Sequence, residues 1–371
     1  MKKRLILFLA VVLAATTMQA QIGHHSKAAD EKTVIYLLPL SSEEVAAANV
    51  AGMNDPKEIH RTFARSVIGF WAVAQIGLDE LGEAGRQLHV ISRELNGDDS
   101  GKLQHIFADP EVQQADLIIA PVTKELFPAV AELARRYKIP VVNPLSSNSD
   151  IVAGNPYVYK MTPDATARAA ALSTRFPGAH FILWGSHHAN DYTAYFDAQG
   201  IAYDTLSDSQ SFMPRLTPGQ EHVVISCIEG HDAYNRVANA LALRSRTPEF
   251  HWVLPESLLA GGSLDLTVLA PFDIYFFSNY FVDDHAESIQ VFRDEYARRY
   301  HTLPSVQNFA YQGYDATCFF IELIFNDFHV PQSFTPLSCQ LKFKRSEKGN
   351  GFENHGIRLI RLDHLQYSII Q

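Results

Sequence analysis

The sequence predicts an α/β protein built of two similar lobes, and three observations predict it. Short apolar runs rich in β-branched and aromatic residues alternate with longer stretches of helical spacing, the pattern of a parallel sheet with crossover helices. The alternation runs along the chain as two successive series. The 371 residues, 47% hydrophobic and only 19% charged, suffice for two ordinary cores and lie far from the composition of a disordered chain.

The first series begins with a strand over Thr33 to Leu40. Ile59 to Leu81 follows as a long amphipathic helix, because Phe63, Val67, Phe70, Ala74 and Leu78 recur at steps of three and four. Gln87 to Leu95 reads as a strand, Lys102 to Val112 as a helix, Asp116 to Pro121 as a strand, and Leu126 to Tyr137 as a helix with Ile139 to Leu145 as its return strand. In the second series the strands are His180 to Trp184, Ile201 to Leu206, His222 to Cys227, Phe250 to Leu254 and Ile274 to Ser278. Helices are expected at Asp191 to Gln199 and Ala233 to Leu243. Between Leu206 and His222 the expected helix is lost, since Pro214 and Pro218 interrupt it. Ser288 to Tyr300 and Ser305 to Phe325 are helical, and Leu341 to Phe343 with Ile357 to Leu362 reads as one β-hairpin around a long polar loop. No seam rich in Pro, Gly or Ser divides the series, so the lobes are expected to share the chain through several crossings. The expected division is 1–20 as a signal peptide, 31–160 plus 286–330 as lobe 1, and 161–285 plus 331–371 as lobe 2.

The amino terminus carries Lys2, Lys3 and Arg4, then an apolar run from Leu5 to Ala15, then a short polar stretch ending at Ala20. That order is the signature of a cleaved signal peptide, and eleven apolar residues are too few to cross about 30 Å of hydrocarbon as a helix. No cysteine occurs in the first 200 residues to accept a lipid, so the mature chain is expected to be soluble, in the periplasm or at the cell exterior. Loss of the three amino-terminal cations takes the formal charge from -10 to -13, a balance that disfavours nucleic acid as a partner. Three cysteines, Cys227, Cys318 and Cys339, allow at most one internal disulfide. Either all three are buried free thiols, or Cys227 pairs with Cys339.

The segment Ala120 to Ile151, APVTKELFPAVAELARRYKIPVVNPLSSNSDI, resembles the part of leucine/isoleucine/valine-binding proteins that joins two strands of their first lobe. YVYKMTPD, Tyr157 to Asp164, is similar to the family's crossing to its second lobe. Pro255-Glu256 after a strand, and FAYQGYDA at Phe309 to Ala316, add two further similarities in the expected order. The resemblance implies the type I periplasmic binding protein fold, two Rossmann-like lobes joined by a multi-crossover hinge. It also implies a role as a solute-binding protein that captures a small zwitterion such as an amino acid between two lobes and delivers it to a membrane permease of the ABC type.

In such a fold the ligand meets the carboxyl ends of parallel strands, where helix amino termini offer unpaired N–H groups. Thr123, Lys124, Ser146 and Ser147 occupy those loops in the first lobe, although Ser146 to Asp150 also have the character of ordinary capping and turn residues. The family's carboxylate-binding hydroxyls fall on Lys124 and Ser147, so one position matches in type and one does not. Its ammonium-binding acid falls on Glu256 in WVLPES, and Tyr192 or His187 in GSHHANDY would wall the ligand. Where the family offers an aromatic residue or paired glycines, this chain has Ile228-Glu229-Gly230-His231-Asp232. These departures, with the lost helix, keep open a second use of the fold as a cell-envelope adaptor or regulator of wall synthesis, with an envelope protein as partner. The histidines lack HExxH or any metal spacing, and no CxxC pair or glycine-flanked serine nucleophile is present. No metal, cofactor or catalytic centre is therefore expected.

Overall fold

The computed structural model describes residues 30–42, 63–96, 99–163, 166–207, 209–228, 234–235, 238, 249–260, 265–305, 309–331, 334–346 and 349–370. The chain divides into two compact units, residues 1–162 with 284–354 and residues 163–283 with 355–371, so it passes between them three times. The expected signal peptide lies outside the described residues. No helix among the described residues is long and apolar enough to cross a membrane. The segment 331–354, assigned from sequence to the second lobe, belongs to the first unit.

The first unit is a seven-stranded sheet in the order β11-β12-β5-β4-β3-β1-β2. Its strands are β1 (Lys32–Leu38), β2 (Leu88–Glu94), β3 (Leu117–Ile119), β4 (Val141–Asn143), β5 (Val158–Lys160), β11 (Phe343–Arg345) and β12 (Phe352–Asn354). All neighbours run parallel except β11 against β12. β1 is buried from Thr33 onward because helices cover both faces of the sheet, and its alternation sorts the two cores. Ile35 and Leu37 join Phe107, Phe127, Val130 and Leu133 on one side. On the other, the Tyr36 ring meets Trp71 edge-on at 4.9 Å and its hydroxyl bonds that of Thr317 at 2.9 Å. There the Phe63–Glu83 and Ala310–Phe325 helices pack against each other. They approach most tightly at Gly313, where a Cβ would overlap the Phe70 carbonyl oxygen.

The second unit repeats the plan in the order β14-β13-β10-β9-β8-β6-β7. It contains β6 (His180–Gly185), β7 (Tyr203–Leu206), β8 (His222–Cys227), β9 (His251–Leu254), β10 (Asp273–Ser278), β13 (Arg358–Asp363) and β14 (Gln366–Ile369). β6 to β10 are parallel, while β13 and β14 add antiparallel strands at one edge. Ile182, Trp184, Trp252 and Leu254 point into one core, and Phe181, Leu183 and Val253 into the other.

Two expectations change. The helix expected over Lys102 to Val112 is two short helices, Ser100–Ile106 and Pro110–Gln113, each started by an aspartate side chain, Asp99 or Asp109, that accepts a backbone N–H. Pro110, which cannot donate into a preceding turn, sits at the start of the second. The single carboxyl-terminal hairpin is two hairpins, β11 with β12 in the first sheet and β13 with β14 in the second. Between β7 and β8 the described residues hold one 3-10 turn, Met213–Arg215, as the two prolines require. The helix expected at Ala233 to Leu243 falls mostly outside the described residues. All three cysteines are free and buried.

Candidate functional site

In the first unit the loop after β4 is organised by Asn143, which is 1% exposed. Its Oδ1 accepts the N–H groups of Leu145 at 3.0 Å and Ser146 at 2.8 Å, an Asx turn that folds the chain back beyond Pro144. Ser146 Oγ accepts the Asn148 N–H at 3.2 Å, and Asn148 Oδ1 accepts that of Asp150 at 3.0 Å, opening the 3-10 turn Ser149–Val152. The Ser146 hydroxyl is thus used for turning the chain, whereas Ser147 is exposed. Beneath this loop lies Lys160, wholly buried, whose ammonium donates to the carbonyls of Thr162 at 2.9 Å and Ser147 at 3.4 Å. Glu353, its register partner on β12, places a carboxylate oxygen 3.9 Å away.

The loop after β3 is paired within itself. The Thr123 carbonyl accepts the N–H groups of Leu126 and Phe127, starting the Phe127–Tyr137 helix. Glu125 is held below the usual carboxylate range by its own backbone N–H, then by the Thr123 hydroxyl and Lys124. Lys124 is 83% exposed and its ammonium lies 3.8 Å from Glu125. This loop is therefore less electropositive than Lys124 alone suggests.

In the second unit Pro255 ends β9 and sets Glu256 at the carboxyl edge of the sheet, before the short helix Ser257–Ala260. Ser278, the last residue of the neighbouring β10 and 2% exposed, donates its hydroxyl to Glu256 Oε1 at 2.5 Å. Arg168, in the first turn of the Thr166–Arg175 helix, places its guanidinium 3.6 Å from Glu256 Oε2. Glu256 keeps 37% of its side chain in solvent and Arg168 27%, so the pair is accessible from outside. Even so, desolvation raises the Glu256 carboxyl above its ordinary pKa, outweighing the Ser278 hydroxyl, the Arg168 charge and the Asn279 backbone N–H that oppose it.

Tyr192 is 7% exposed on the Asn190–Gln199 helix and packs in the core with Phe196 and Cys227. Burial pushes its phenol well above the ordinary range, with the Arg168 charge opposing. Its ring is packed in the core rather than presented to solvent. His187 donates its backbone N–H to the Cys227 carbonyl at 2.7 Å, and His188 Nδ1 lies 3.5 Å from Asp191. Glu229 to Asp232 lie outside the described residues. No group of three or more His, Cys, Asp or Glu side chains is placed to hold a metal ion among the described residues. Sequence reasoning named Glu256 as a candidate but not its neighbours Arg168 and Ser278. Arg168 is the first basic residue after the strand-to-helix crossing, a signal that only the partner's position makes meaningful.

No protein-family model matches the chain. No curated protein matches it. Solved structures do. One from Rhodospirillum rubrum, assigned as a branched-chain amino acid ABC transporter, is 12% identical with a TM-score of 0.62, covering 92% of this chain and all of the other. An ABC-type branched-chain amino acid transporter of Rhodopseudomonas palustris is 13% identical, TM-score 0.53, with 92% and 95% covered. A branched chain amino acid ABC transporter periplasmic ligand-binding protein of Burkholderia xenovorans is 14% identical, TM-score 0.52, with 92% and 94% covered. The chain therefore has the type I periplasmic binding protein fold. At these identities the likeness is one of fold.

Proposed function

We propose that the protein is an extracytoplasmic solute-binding protein for a small zwitterionic ligand such as an amino acid, working with an ABC-type permease. The observation that carries this reading is the Glu256–Arg168–Ser278 group. A partly exposed carboxylate and guanidinium stand side by side at the carboxyl edge of a parallel sheet, where binding proteins of this fold engage solutes. The carboxylate suits a ligand ammonium, and an arriving ammonium favours the ionised form that burial disfavours. In the first unit, taken by itself, the exposed Ser147 hydroxyl beyond the Asn143 turn is a donor of the kind that suits a carboxylate.

The testing experiment is a thermal-shift screen of residues 21–371 against amino acids, small peptides, sugars and cell-wall fragments. A ligand at a hundred times its Kd stabilises by about 2.7 kcal/mol. A shift confined to one zwitterionic class supports the reading; shifts with sugars alone refute it. The internal pairing of Thr123, Lys124 and Glu125 favours the second reading, an envelope adaptor that has given up solute binding. That reading expects no shift with any solute and a stable complex with an envelope protein.

A further inference from the structure

A ligand ammonium at Glu256 takes the only charged partner that Arg168 has among the described residues. The guanidinium carries five N–H donors in a fixed fork, and among the described residues none of them makes a hydrogen bond. Its nearest approach to a carboxylate is the 3.6 Å to Glu256 Oε2, outside hydrogen-bond range. Arg293, whose side chain is exposed to the same 27%, shows the ordinary outcome: its Nε donates to the Tyr311 hydroxyl at 2.9 Å and its Nη2 to Asp284. A guanidinium largely withdrawn from water with its donors unused is costly until something completes it.

The surrounding elements do not complete it. Glu256 Oε1 is occupied by the Ser278 hydroxyl. Asp191, on the Asn190–Gln199 helix that packs against the Thr166–Arg175 helix, lies 3.5 Å from His188 Nδ1 instead. An ammonium arriving at Glu256 deepens the imbalance, because it sets a second cation beside the guanidinium with one carboxylate between them. An anion is then required at the same edge of the sheet, and a guanidinium fork matches a carboxylate with two parallel hydrogen bonds. Ser147, in the first unit, is the kind of donor that takes an α-carboxylate, which leaves a side-chain acid as the anion for Arg168.

We propose that the ligand is an acidic amino acid and that Arg168 is the residue which reads its side-chain carboxylate. The inference rests on the zwitterion reading and narrows it to the dicarboxylic members of that class.

The experiment is titration calorimetry on the full mature chain with two isosteric pairs, L-glutamate with L-glutamine and L-aspartate with L-asparagine, and with L-leucine as an apolar zwitterion. One of the two acids is expected to bind saturably and at least tenfold more tightly than its own amide and than leucine, since an amide brings no charge to the guanidinium. In Arg168→Gln the acid should bind at least tenfold more weakly and its lead over the amide should vanish, while Arg168→Lys, a point charge without the fork, should keep part of that lead. If Arg168→Gln loses its thermal transition, Arg168→Lys carries the test, with at least threefold weaker acid binding expected. Leucine or an amide bound as tightly as the acid would overturn the acidic class and leave the zwitterion reading standing. Acid binding unchanged in the Arg168 variant would overturn the role of Arg168, and no amino acid bound at millimolar concentration would overturn both proposals.

Discussion

At the scale of single residues, the role proposed for Glu256 is tied to an ionisation that can be measured. Its carboxyl pKa is raised by burial, so the charged form is less favoured than in water, and a ligand ammonium would oppose that shift. Affinity for a zwitterion should fall as pH drops through that raised pKa, because protonation removes the acceptor. Calorimetry at successive pH values checks the direction, and in Glu256→Gln the dependence should vanish. Asp315 illustrates a residue with a purely structural task. Wholly buried, it accepts the N–H groups of Leu337 at 2.6 Å and Ser338 at 2.9 Å, and the Ser338 hydroxyl at 2.7 Å. Asp315→Asn turns an amide N–H₂ toward one of those donors, so denaturant unfolding should show a loss of roughly 2–4 kcal/mol. The aspartate lies within FAYQGYDA, a stretch that pointed to the fold in the sequence without revealing what its acid does.

At the scale of elements, most strands were legible because a parallel strand covered on both faces is a short apolar run bounded by turn residues, as at His222 to Cys227. What the sequence hid was partnership. Leu341 to Phe343 and Ile357 to Leu362 look like two arms of one hairpin, yet each pairs with a different strand in a different sheet. Local alternation marks a strand but carries no information about its neighbour. The Lys102 to Val112 helix was overdrawn for a related reason, since helical spacing continues across Ala108-Asp109 while the caps and Pro110 break it. Gly313 was equally silent, because a close helix crossing needs both helices to be seen. Helix propensity favours alanine over glycine by about 1 kcal/mol, but a Cβ here meets the Phe70 backbone oxygen. Gly313→Ala should therefore destabilise by about 1–3 kcal/mol, read as a lowered denaturation midpoint.

At the scale of the whole molecule, two seven-stranded sheets are threaded by one chain that passes between the units three times. Two of those passages leave from β5 and β12, parallel neighbours tied by the Lys160–Glu353 pair and by Asn354, whose amide donates to the Met161 and Gln340 carbonyls. Stability as a function of pH should report the second unit. Hydrogen bonds from His251, Tyr275 and Arg361 overcome the desolvation of Asp273 and hold its carboxyl at about 2, below the ordinary 3.8. That stability, about 2 kcal/mol, is complete above the unfolded pKa and disappears as pH falls through about 2. Asp273→Asn should thus cost about 2 kcal/mol at pH 7 and progressively less in acid. His251 behaves oppositely: its partners raise its pKa against desolvation, so its contribution is complete in acid and is lost as pH rises through the raised value.

The central claim, that Glu256 and Arg168 receive a zwitterion, is tested most directly by titration calorimetry of parent and Glu256→Gln with the amino acid that most stabilises the protein. Saturable binding by the parent and at least tenfold weaker binding by the variant, with its thermal transition intact, is the expected result. Equal affinity in the two proteins, or no amino acid bound at millimolar concentration, would contradict it.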